Sequence, residues 1–191
     1  MRTILFDLTI LATETKVRGI GRYLSELARA LGKATAGSQA LRVRFLERAD
    51  WTGEGVVSDD AETAIARLVE REWRDPRHFW AYRQRFGMAR AVRAKGIDLV
   101  HVGYGNARPL GRIDCPRVVT CHDLIPLLYP DRYADWQEGW GRGRRWLDEQ
   151  RYRGADHVIA ISQATADDLV RLLEIPARKI SVVPNGIDLT K

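Results

Sequence analysis

Short apolar runs recur along this chain, and between them lie longer stretches with helical spacing. That alternation constrains the fold more than any other feature. The runs are Thr3 to Leu8, Leu41 to Leu46, Ile97 to Val102, Pro116 to Cys121, Asp156 to Ile161 and Lys179 to Val183. Several are apolar on both faces, as parallel strands covered by helices must be. Between the first two, Gly19-Ile20-Gly21 opens a helix with Ile20, Tyr23, Leu24, Leu27, Ala28 and Leu31 spaced for one buried face. Asp59 to Glu72 and Arg77 to Lys95 read as helices, with Gly96 as the cap of the second. Asp131 to Arg153 reads as a polar and aromatic helix, and Ser162 caps a helix over Gln163 to Leu173. Thr9 to Arg18, Ala49 to Ser58 and His122 to Pro126 read as loops. The pattern predicts an α/β fold, a doubly wound, mostly parallel Rossmann-like sheet with helices on both faces.

With 191 residues, 45% of them hydrophobic and 29% charged, the chain suits one sizeable core. No apolar run reaches the roughly 18–20 residues of a membrane span. Asp7 interrupts the N-terminal run too early for a signal-peptide core. Cys115 and Cys121, on one extended strand, would stand roughly 20 Å apart, too far to bridge. Reduced thiols in a cytoplasmic protein are the expectation. The formal charge of +6 is concentrated in residues 67–95, where nine Arg and Lys face three acids. Such a window reads either as a solvated helix surface or as a face for an anionic partner.

In open parallel sheets, ligands bind beyond the carboxyl ends of the strands. The candidates there are Asp7, the turn Gly103-Tyr104-Gly105-Asn106, His122-Asp123 and Ser162. Gly19 and Gly21 at a helix start would let a phosphate approach backbone amides. They are not the dinucleotide fingerprint, because some ten residues separate them from the first strand and Leu24 holds the third glycine's place. His122 could donate to a sugar hydroxyl or stabilise developing charge, with Asp123 orienting it. A histidine that only closes the strand end is the competing reading. His101, alternating with Val100 and Val102, is expected to be structural. His78, His101, His122 and His157 show no ligand spacing, so no metal site is expected. No G-x-S-x-G elbow occurs. Trp136 and Trp140 among arginines would suit a membrane surface or nucleic acid. Gly139, Gly141 and Gly143 weaken that helix, and Asp148 and Glu149 break its charge, which favours packing and solvation instead.

The run Ala155-Asp156-His157-Val158-Ile159-Ala160-Ile161-Ser162-Gln163-Ala164-Thr165, followed by Asp168-Leu169, Pro176, Lys179-Ile180 and Val183-Pro184-Asn185-Gly186-Ile187-Asp188, resembles family 4 glycosyltransferases. Gly19-Ile20-Gly21-Arg22-Tyr23 and Cys121-His122-Asp123 fit the same family in order. The resemblance implies a retaining enzyme of the GT-B fold, with two Rossmann-like domains facing a cleft and a nucleotide-sugar as co-substrate. Residues 1–184 would be the N-terminal, acceptor-side domain. Residues 185–191 would start the linker to a C-terminal donor-binding domain, without which the chain would not turn over. Carried over by position, Gly19, Gly21 and Arg22 would serve the donor phosphates, His122 would face the transferred sugar, and Asp123 and Asn106 would line the cleft. No cofactor or metal is implied. The expected partners are a nucleotide-sugar donor and a glycan, lipid-linked or protein acceptor, with no nucleic acid. The location would be cytoplasmic, and peripheral contact with the inner membrane face through the basic helices stays open. Two other classes also stay open: a non-catalytic module binding a glycan or anionic surface, and a nucleotide-sugar epimerase of the same fold.

Overall fold

The computed structural model describes residues 1–48, 55–70, 87–104, 112–133 and 150–186. The chain divides into two compact units, Met1–Gly103 with Leu110–Arg117, and Tyr104–Pro109 with Val118–Lys191.

The first unit holds β1 (Arg2–Asp7), α1 (Gly19–Thr35), β2 (Leu41–Arg48), β3 (Val56–Ser58), α2 (Ala61–Glu70), α3 (87–94) and β4 (Leu99–Val102). The strand order is β3-β2-β1-β4. β1 runs parallel to both neighbours, with Leu5 opposite Arg44 on one side and Val100 on the other. A parallel strand paired on both edges has its backbone satisfied by its neighbours, and where helices cover both of its faces its side chains are apolar on both. Leu5 and Phe6 are accordingly fully buried. α1 turns Leu24 and Ala28 onto the sheet, and Phe45, Leu46 and Leu68 complete this core. α3 ends where Gly96 takes φ +60°. Its amide donates to Arg93 and that of Ile97 to Val92, the paired bonds that close a helix on a left-handed residue.

Two expectations change here. Val56–Ser58, read as loop, is a strand antiparallel to β2, with Phe45 opposite Ser58. Three residues are too few to carry a recognisable alternation. The segment Thr9 to Arg18 is not an open loop but two 3-10 turns, Thr9–Ala12 and Glu14–Val17, and all of Thr9–Ala12 is buried. The Asp7 carboxylate starts it, accepting from the Thr9 amide at 2.9 Å and its hydroxyl at 2.7 Å. Lys16 Nζ then donates to the Val69 carbonyl at the end of α2, 2.7 Å away.

Of the basic window's described members, Arg67 lies 3.3 Å from the buried Glu47 and Arg93 3.5 Å from Asp114. His101 packs its ring on Phe6, centroids 5.0 Å apart, as a structural residue would. Burial pushes its imidazole down from 6.5 to about 4. Because the folded state takes its proton later than the unfolded one, this contribution is complete above pH ~6.5 and is lost as the pH falls towards 4. With allowance for the water that still reaches the residue, its size is about 2 kcal/mol. Urea unfolding at pH 7 and 4.5 should therefore show a smaller acid loss in His101→Gln than in the wild type. Equal losses would remove the assignment.

The second unit carries β5 (Arg117–Cys121) from Val118 onward, α4 (Ile125–Leu128), α5 (150–153), β6 (His157–Ala160), α6 (Gln163–Leu173) and β7 (Ile180–Val182). Its strands run β5-β6-β7, all parallel, with Val119 opposite Val158 and Ile159 opposite Ser181. α6 has the bounds read from the sequence. The Ser162 hydroxyl accepts from the Thr165 amide at 3.1 Å, and Leu169 and Leu173 are buried beneath the helix. Ser162→Ala should lower stability by about 1 kcal/mol, read as a shift in the urea midpoint. Of the expected helix Asp131 to Arg153, Pro130–Tyr133 forms a 3-10 turn and 150–153 is helical. Trp136 and Trp140 lie outside the described residues, as does most of Arg77 to Lys95. Neither Cys115 nor Cys121 is in a disulfide.

Both units thus have the α/β character expected, parallel strands joined through helices. Among the described residues no helix is long and apolar enough to cross a membrane.

Candidate functional site

In the first unit the candidate residues open α1. Arg18, in extended backbone, is the N-cap and supplies no side-chain cap bond. The first-turn amides of any helix lack intrahelical partners, and the dipole makes that end attractive to anions. Gly19 is exposed, and a Cβ there would meet nothing within 4 Å. Gly21 differs. A Cβ on it would stand 2.3 Å from the Thr15 carbonyl oxygen and 2.7 Å from that of Lys16. Its lack of a side chain lets the second 3-10 turn, Glu14–Val17, lie against the helix. Arg22 is exposed beside them, its amide bonded to the Arg18 carbonyl at 3.1 Å. At the end of β4, Gly103 is likewise a packing glycine: a Cβ would fall 2.4 Å from Leu24 Cδ2.

In the second unit β5 ends at Cys121, and a fixed turn follows. The Cys121 thiol points at the Asp123 carbonyl, 3.6 Å away, a long and weak contact. The Thr165 hydroxyl donates to the His122 carbonyl at 3.4 Å. Since that hydroxyl has one hydrogen, Ser162 must donate in the 3.0 Å contact between their oxygens. Asp123 Oδ1 accepts the Ile125 amide at 3.0 Å, a local bond that ends the strand and starts α4. His122 is half-buried and Asp123 exposed. Asp123 therefore shapes the turn on which His122 stands, and Thr165 holds that turn from α6.

The structure brings His122 and Asp123 together in one unit, and Gly19, Gly21 and Arg22 together in the other. Asn106 lies outside the described residues. Thr165 was not singled out from the sequence; its place three residues after the cap Ser162 was the available signal. Among the described residues, no three His, Cys, Asp or Glu side chains cluster so as to hold a metal ion.

The fold class is that of a sugar-synthesising enzyme of known structure. Sucrose-phosphate synthase from Thermosynechococcus elongatus superposes on the whole of this chain with a TM-score of 0.64 at 18% identity, the match covering 49% of that protein. At that identity the likeness concerns the fold alone. The family follows from sequence: Glycosyltransferase Family 4 matches residues 17–191, and the chain belongs to it. Among its relatives is a serotype-specific mannosyltransferase, WbdA, of Escherichia coli, 27% identical over 210 aligned positions. That match takes in 96% of this chain and 24% of the mannosyltransferase. A second Escherichia coli protein of the same description is 28% identical over 101 positions, 47% of this chain and 12% of the relative. The chain thus spans about a quarter or less of these relatives.

Proposed function

We propose that this chain is the acceptor-side domain of a retaining glycosyltransferase that moves a sugar from a nucleotide-sugar to a glycan, lipid-linked or protein acceptor. The family match over residues 17–191 carries the reading. In it, the open α1 terminus at Gly19, with Arg22 beside it, receives the diphosphate that leaves. Amides and a cation placed where charge develops stabilise a departing anion without rearranging. His122 faces the transferred sugar and donates to its hydroxyls as the anomeric carbon becomes cationic. Asp123 keeps that histidine in place, and Asn106 is a further candidate for contact with substrate. Gly21 contributes by letting the helix start pack where it does.

The nucleotide-sugar is a co-substrate, and the reading needs no metal. In this reading the nucleotide is gripped by a second domain of the gene product that contains this chain. The likeness to mannosyltransferases supports mannose as the sugar, and the setting is cytoplasmic, with an acceptor that can be membrane-borne. The test is to supply the gene product that contains this chain with nucleoside-diphosphate mannose and α-mannobiose, then record the anomeric proton by NMR. A new glycosidic bond with the donor's configuration is expected. An epimerised nucleotide-sugar would support the epimerase reading, and an untouched donor would overturn transfer.

A further inference from the structure

One turn beyond His122, the chain displays an aromatic side chain on a rigid base. Leu124 is 4% exposed and anchors the turn in the core. Its carbonyl accepts the amides of Leu127 and Leu128 at 2.9 and 3.1 Å, and that of Ile125 accepts the Tyr129 amide at 3.0 Å. Ile125 and Tyr129 thus open and close this single turn, four residues apart. Neither is buried: Ile125 is 40% and Tyr129 53% exposed. The Arg132 guanidinium lies 5.8 Å from the Tyr129 ring centroid, within cation–π range. The Tyr129 carbonyl accepts the Arg132 amide at 3.1 Å, so both side chains hang from one short backbone segment.

A tyrosine in contact with an arginine, with an exposed isoleucine at the other end of the same turn, makes an amphipathic platform. The apolar C–H face of a pyranose stacks on an aromatic ring, while its hydroxyls take hydrogen bonds from a fork of N–H donors such as guanidinium. The backbone bonds fix the main chain beneath the ring in advance, which lowers the ordering cost of binding. We propose that Tyr129, with Ile125 and Arg132, is a saccharide subsite that holds the acceptor glycan next to His122. This rests on the glycosyl-transfer reading above and adds the residues that select the acceptor. A membrane is the other surface that would take exposed Ile, Tyr and Arg. The glycan is favoured because a single turn offers one ring and one isoleucine, too little apolar area for firm bilayer anchoring.

The test uses the chain itself with α-mannobiose as probe, read by saturation-transfer NMR, with pelleting on phosphatidylglycerol vesicles alongside. Wild type and Tyr129→Phe should bind the disaccharide. Tyr129→Ala should bind it about three- to tenfold more weakly, with an unchanged circular dichroism spectrum. Equal binding by Tyr129→Ala, or none by wild type, would overturn the subsite. Vesicle pelleting lost in Tyr129→Ala while disaccharide binding holds would reassign the surface to lipid and overturn it equally. Because binding is read without turnover, failure here is distinct from failure to form a glycosidic bond in the assay above.

Discussion

Gly21→Ala should lower the melting temperature by about 6–12 °C, a large change for the addition of a single methyl group. The added carbon would stand 2.3 Å from one carbonyl oxygen and 2.7 Å from another, and both obstacles are backbone, which cannot rotate aside. Either α1 tilts or the 3-10 turn lifts, and the turn is bound to α2 through Lys16. Overpacking of this kind costs about 3 kcal/mol. Gly19→Ala is the control two residues away. With nothing within 4 Å of the new carbon, it should leave the melting temperature unchanged or raise it by about 1–3 °C. Scanning calorimetry of the two variants decides the matter: equal melting temperatures would refute the packing role. The contrast divides labour within a motif that looks uniform in sequence. The space beside Gly21 is filled by the chain's own backbone, whereas that beside Gly19 is open.

On the glycosyl-transfer reading, His122→Ala in the gene product that contains this chain should cut sugar transfer by about 10²–10³-fold while the protein stays folded. The range is that for removing one donor aimed at charge developing in a transition state. What Thr165 holds is the His122 carbonyl, and what Asp123 holds is the Ile125 amide; neither bond uses the imidazole. Initial rates with saturating donor, alongside thermal melts, separate the two consequences. Wild-type rates in the variant would strip His122 of a catalytic part. A collapse of the melt would make it a structural residue.

The sequence made some of this legible and hid the rest for identifiable reasons. α6 was readable at both ends because a serine cap and an apolar stripe coincide there. The strands were readable because β1, β4 and β6 bury alternate or consecutive apolar side chains. β3 was hidden because pairing with β2, not its own pattern, makes Val56–Ser58 a strand. Thr9–Ala12 was hidden because a short segment that runs from Thr9 into Thr13-Glu14-Thr15-Lys16 looks like a loop, whereas the Asp7 bonds to Thr9 and the core draw all four residues inside. At the candidate site, residue types and order along the chain singled out Gly19, Gly21, Arg22, His122 and Asp123. What each does locally depends on neighbours far off in sequence, Thr15 and Lys16 for Gly21 and Thr165 for the His122 turn.

The Thr165 bond also bears on how this domain could be re-engineered. The His122 carbonyl and the hydroxyl that steadies it are 43 residues apart, yet that hydroxyl is set in turn by the Ser162 cap. The histidine turn and the start of α6 therefore form one inherited piece of geometry written in two places. A chimera that imports Cys121-His122-Asp123 from a homologue without the matching Ser162-Gln163-Ala164-Thr165 would carry the histidine but not the scaffold that aims it. Recombination points between relatives are better placed before β5 and after α6 than anywhere between them.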